Sequence, residues 1–133
     1  MQLDDFKLLE VCTTHISFVH RDTQPGQGKI VVDYGEINFE AGALLVGDED
    51  QATVRVEASP KITGYRDGSS DHDFQLKITM RLLFVYPKSK NLTQAYLQDN
   101  NWYFGSLIRT HFKFYADDIL SKTTLKNIQL AYN

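Results

Sequence analysis

Residues 74–87 read FQLKITMRLLFVYP. Phe74, Leu76, Ile78, Met80, Leu82, Phe84 and Tyr86 occupy every second position, and Gln75, Lys77, Thr79 and Arg81 fill the places between. A period of two is that of a strand with one face buried and one wet. The run is about twice as long as an ordinary strand of 5–6 residues. A strand of this length needs partners along both edges, so the rest of the chain must supply them.

Three other stretches have the same period. In FKLLEVCTTHISFVH (6–20), Phe6, Leu8, Cys12, Ile16 and Phe18 share one parity, which directs Cys12 to the core. In KIVVDYGEINFE (29–40), Ile30, Val32 and Tyr34 share a face. In QATVRVEASPKITGY (51–65), Val54, Val56, Ala58 and Ile62 are in phase, and Pro60 requires an edge, a bulge or a break. TQPGQGK and RDGSSDHD read as loops. These four strands predict an antiparallel sheet with one face covered.

A helix comes next, over 102–121. Leu107, Ile108, His111, Phe112, Tyr115, Ala116, Ile119 and Leu120 repeat with the spacing of one helical face, and Asn100 or Asn101 suits the cap. One helix cannot cover a long four-stranded sheet. PKSKNLTQAYLQ (87–98) supplies a second short helix, or another chain covers the rest. The expected fold is α+β: a four-stranded antiparallel sheet with a long C-terminal amphipathic helix on one face, in a single domain, 1–133.

The chain has 133 residues, 42% hydrophobic and 23% charged, enough to bury a core without disulfide or metal. A net charge of −3 argues against a nucleic-acid binder, which needs clustered Lys and Arg. Cys12 is the only cysteine and the N-terminus is acidic, so a cytoplasmic protein is expected, with no leader and no membrane association. The sequon Asn91-Leu92-Thr93 then carries no sugar.

Candidate chemistry is thin. Asp71-His72-Asp73 has ligand residue types but falls in a turn, where Asp and Ser serve the backbone, and a metal needs three or four convergent ligands. His15 and His20 are an odd number apart on a strand, on opposite faces. His111 reads as a packed histidine. GQGK (26–29) lacks the phosphate-loop glycine, since Thr23 stands there, and Ile30 replaces the hydroxyl. Neither catalysis nor a cofactor is expected.

The ends of the chain resemble the SecB export-chaperone family. That family's first strand begins with Phe, alternates and ends on Ile-Ser-Phe, as Phe6 through Ile16-Ser17-Phe18 do. Its long helix ends in Ser-Arg-Gly-x-Phe-Pro-x-Leu-x-Leu. Here that segment is Ser121-Lys122-Thr123-Thr124-Leu125-Lys126-Asn127-Ile128-Gln129-Leu130, with Thr123 and Lys126 in place of Gly and Pro. The helix aligns without a gap.

The resemblance implies a non-enzymatic holdase that binds unfolded or extended client proteins in apolar grooves. It implies a homo-oligomer, a dimer or a dimer of dimers (a homotetramer), using helices 102–121 and the sheet edge near 6–20. Trp102, Tyr103, Phe104, Leu125, Ile128, Leu130 and Tyr132 are the candidate client-binding residues. Ile128, Leu130 and Tyr132 alternate with Asn127, Gln129 and Ala131, as a one-sided strip would. The family presents acids to the motor ATPase SecA where this chain has His15, Val19 and Lys77, and its members continue past the Leu-x-Leu segment into a tail that engages SecA. Both differences argue against SecA binding. SecB-like chaperones also serve toxin–antitoxin systems as well as protein export. The alternative is a non-enzymatic adaptor or inhibitor that binds one folded protein; a small-ligand domain with a pocket between sheet and helix is a weaker third.

Overall fold

The computed structural model describes residues 1–24 and 26–125. Its spine is the expected long strand, which runs over His72–Pro87. In chain order the strands are β1 (Lys7–His20), β2 (Gly28–Asp33), β3 (Asn38–Leu45), β4 (Asp48–Ala58), β5 (Lys61–Arg66) and β6, the spine. β1 lies antiparallel along one edge of β6, from Lys7 opposite Val85 to His20 opposite Phe74. The other edge of β6 is divided. β4 takes its C-terminal half, with Gln51 opposite Pro87 and Ala58 opposite Met80. β5 takes the N-terminal half, with Lys61 opposite Lys77. β3 then pairs with β4, and β2 with β5.

The sheet therefore has six strands rather than the four expected, arranged in four ranks, because two of the four break midway. In the β4–β5 rank the break falls at Ser59-Pro60. Proline lacks the amide hydrogen a ladder needs. Pairing resumes at once, since the Pro60 carbonyl accepts from the Ile78 amide at 3.1 Å. In the β2–β3 rank the chain turns at Gly35, whose φ of 68° suits glycine, and its amide donates to the Asp33 carboxylate at 2.9 Å.

β1 corrects a second expectation. Its pairing slips between Leu8 and Glu10 and again between Thr13 and His15. An extra residue reverses the parity of every position after it. Val11 and Thr13 thus lie opposite the core residues Leu82 and Met80, while Cys12 lies opposite Arg81 on the other face. Cys12 is half-buried there and is not a core thiol. His15 and His20 do fall on opposite faces, paired with Thr79 and Phe74.

Two helices cover the core face. The short one, α1 (Gln94–Asp99), is capped by Thr93, whose hydroxyl accepts from the Tyr96 amide at 3.1 Å. The long one, α2, spans Asn101–Leu120. Asn100 precedes it, but its side chain donates to the Tyr96 carbonyl at 2.9 Å and so closes α1 without capping α2. Phe104, Ile108, Phe112, Ala116 and Leu120, four apart, are fully buried against Val54, Val56, Ile78, Met80 and Leu82. Each large apolar side chain in that row contributes roughly 1.5–3 kcal/mol. The adjacent row, Leu107, His111, Tyr115 and Ile119, stays half-buried. At one end of the sheet the core closes on aromatic rings: Phe6 meets Phe104, Tyr86, Tyr96 and Phe84 at centroid distances of 5.6, 5.9, 6.2 and 6.3 Å.

Candidate functional site

The opposite end of β1 and β6 is open. There a cleft of about 1260 Å³ lies between the ends of β1, β5 and β6, the start of β2 and the residues after α2. Its apolar lining comes from Phe18, Ile30, Tyr65, Phe74 and Leu125. Phe74 lies opposite Gly64 on β5, and its ring occupies the space a side chain would fill: a Cβ on Gly64 would stand 2.1 Å from Phe74 Cε1. Glycine at 64 is thus the condition for an aromatic floor.

A polar post stands beside that floor. Asp73 contacts His20 Nε2 at 3.4 Å and Arg66 Nε at 3.3 Å, and Arg66 also reaches the Asp22 carboxylate at 3.7 Å. The geometry is that of ion pairs rather than aligned hydrogen bonds, since neither Nε atom makes one. The Arg66 fork also donates to the carbonyls of Asp22 and Gln24, which ties the 21–24 segment down. His20 is packed edge-on against Phe74 at 5.9 Å, and its Nδ1 lies 3.4 Å from the Thr124 hydroxyl. These residues bind β1, β5, β6 and the end of α2 into one wall. Asp73 is therefore a strand residue in an ion-pair cluster, not part of a solvated turn. Among the described residues, no group of three His, Cys, Asp or Glu side chains is placed to hold a metal.

β2 forms the rim. It pairs with β5 on one side and has no strand on the other among the described residues. Ile30 and Val31 are exposed along it. Lys29 holds its ammonium 5.8 Å from the centre of the Tyr65 ring. Such a site can take an extended chain, with a free backbone edge, an aromatic floor and cations at its lip.

The sequence-predicted residues divide. Leu125 lines this cleft. Trp102 is 62% exposed but lies elsewhere, in a smaller cleft of about 590 Å³ between α2 and the β2–β3 connection, with Arg109 and Ile37. Tyr103 is half-buried against the Phe104 ring at 5.2 Å. Phe104 is wholly buried in the core of its own chain and offers no surface. Ile128, Leu130 and Tyr132 lie outside the described residues. Sequence inspection misses Phe18, Ile30, Tyr65 and Phe74. The available signal is their place: each sits at a strand end beside a glycine- or proline-bearing loop.

Two other surfaces bear on function. His15, Val19 and Lys77 come together on the face away from the helices, where Ser17 lies opposite Lys77 between His15 and Val19. The outer edge of β1 has no strand partner among the described residues, and Leu8, Leu9, Ile16 and Val19 along it are 41–54% exposed. No helix of the described residues is long and apolar enough to cross a membrane.

No protein-family model matches the chain. No curated protein matches it either. Among solved structures, the fold is similar to that of a SecB-like chaperone from Mycobacterium tuberculosis, solved in complex with a ChAD peptide from the HigA1 antitoxin. The match has a TM-score of 0.60 with 16% sequence identity, over 95% of this chain and 89% of that one. The fold is SecB-like, an α+β arrangement of a curled antiparallel sheet and a C-terminal helix.

Proposed function

We propose that this protein is a SecB-like holdase, a single domain that binds extended or unfolded polypeptides in the cleft between β2, β5 and the residues after α2. The observation that carries this is the open cleft with aromatic lining beside a strand edge that has no partner among the described residues. The likeness to a chaperone solved with an antitoxin peptide supports it. Client side chains would bury against Phe18, Tyr65 and Leu125 while the client backbone pairs with β2. Burial is indifferent to sequence order and backbone pairing is indifferent to side chains, so such binding is broad and favours unfolded chains. Each buried client side chain contributes roughly 1.5–3 kcal/mol, and ordering the client offsets much of it. Binding is then reversible and needs no nucleotide.

The half-buried row Leu107, Tyr115 and Ile119 and the open edge of β1 support a homo-oligomer, a dimer or a dimer of dimers. Self-complementary contacts around a two-fold axis would close that edge. A cytoplasmic location agrees with the single cysteine. His15, Val19 and Lys77 stand where the family presents acids to SecA, which favours a specialised role, of the toxin–antitoxin kind, over general export.

The test is aggregation of several unrelated unfolded proteins, monitored by light scattering with micromolar protein present. Suppression of all of them is expected. Tight binding of one folded protein without suppression would establish an adaptor instead. A Leu125→Ser, Ile128→Ser, Leu130→Ser variant that stays folded and assembled should lose client holding. Undiminished holding by that variant would move the binding surface elsewhere.

A further inference from the structure

We infer that the cleft selects client segments in which an acidic residue stands next to apolar ones. This rests on the holdase reading. The polar lining of the cleft is lopsided in charge. It includes Lys29, Arg66 and Lys122 but a single carboxylate, Asp73. That carboxylate is engaged by His20 and Arg66 at 3.4 and 3.3 Å and is only 12% exposed, so it is already neutralised within the wall. Arg66 is spent in the same cluster and on the carbonyls of Asp22 and Gln24. Among the described residues, the cations left for a client are Lys29 and Lys122.

Lys29 is exposed at the start of the free edge of β2, next to the Tyr65 ring. It stands where a paired client backbone would present its side chains. Lys122 lies on the opposite wall, beyond the end of α2. It is bonded to Asp118 at 2.9 Å, but both side chains are widely exposed, at 70% and 72%. A pair that open is worth little and can be exchanged for a client carboxylate. The whole molecule is acidic, with a net charge of −3. That distant charge is screened beyond about 8 Å at physiological salt, so the two local ammonium groups decide what is accepted at the lip. Charge at such a rim sets selection among clients, while affinity comes from the aromatic floor.

The experiment uses three extended peptides with one apolar sequence, flanked by two Glu, two Gln or two Lys. Their affinities for the full chain are measured by fluorescence anisotropy at low and high salt. The Glu peptide should bind about three- to ten-fold more tightly than the Lys peptide at low salt, with Gln between them, and the gap should narrow at high salt. In the Lys29→Glu, Lys122→Glu variant, both exposed sites, the order of the Glu and Lys peptides should reverse. Equal binding of all three, or tighter binding of the Lys peptide by the parent protein, overturns the selectivity and leaves the holdase intact. Failure of all three to bind overturns the cleft as a client site, and this inference with it.

Discussion

The two ends of the β1–β6 pair are made of similar residues and do different things. At one end Phe6 and Phe84 are covered by Phe104, Tyr86 and Tyr96, and α1 closes the core over them. At the other, Phe74 is itself buried, and the half-buried Phe18 lines a cleft beside it with Leu125. Aromatic content does not separate the ends. Among the described residues, the difference is whether a later element returns to cover the strands. Leu97 of α1, fully buried, supplies that return at the closed end. At the open end β2 and β5 carry Gly28 and Gly64, whose missing side chains leave room for the Tyr65 backbone and the Phe74 ring. One end supplies stability and the other, on the holdase reading, supplies binding.

Phe104→Ala tests the closed end and should show the largest effect. The ring is fully buried among Phe6, Phe39 and Phe84, so its removal should cost about 3–5 kcal/mol, read as a lowered denaturant midpoint. Client affinity of the molecules that remain folded should not change. A loss of affinity at unchanged stability would return Phe104 to the client surface.

Gly64→Ala carries the comparison to the open end. A Cβ 2.1 Å from Phe74 Cε1 forces the ring off Gly64 and disturbs His20 packed on it. The expected cost is about 1–3 kcal/mol, as for other overpacked sites, together with weakened client binding. Full stability and full affinity would mean that the floor does not depend on this close approach.

Much of the closed end is legible in the sequence, and little of the open end is. The alternation of 74–86 and the four-residue spacing of 104, 108, 112, 116 and 120 report burial directly, because periodicity records which face is covered. The same logic fails on β1. Two register slips shift the parity twice, and no residue type marks where a bulge falls, so parity alone puts Cys12 on the wrong face. Pro60 announces a break, but Gly35 marks its own only through its positive φ. The cleft joins residues near positions 20, 30, 65, 74 and 125 through register alone. Nothing local in the sequence ties His20 to Asp73 or Arg66, which sit at the ends of three separate strands.

Tyr65→Ser sharpens the difference from the open side. The ring is partly exposed beside Lys29, so stability should fall by about 1 kcal/mol or less. Client affinity should fall about ten-fold, the loss expected on removing one aromatic contact worth roughly 1.4 kcal/mol. Calorimetric titration with an extended apolar peptide reads this. An unchanged affinity would place the floor elsewhere than Tyr65.

Alkaline pH should act on the closed end alone among these tests, and most weakly. Burial raises the pKa of Tyr86, and burial followed by the charges of Asp5 and Asp4 raises that of Tyr96. Both phenols belong to the ring cluster around Phe6. Unfolded tyrosine titrates near 10, so above that value the unfolded chain gives up protons that the folded chain still holds. By linkage, the stability these groups contribute is fully present below about pH 10 and is lost as the pH rises through the unfolded value toward the folded ones. The measurement is a difference between two proteins, so that contributions they share cancel. Urea midpoints of the parent and of a Tyr86→Phe, Tyr96→Phe variant should run parallel from pH 7 to about 9.5, and above pH 10 the parent should fall faster. Parallel curves throughout would mean that these two rings are less well covered than the closed end requires, and that the two ends differ in shape more than in solvent access.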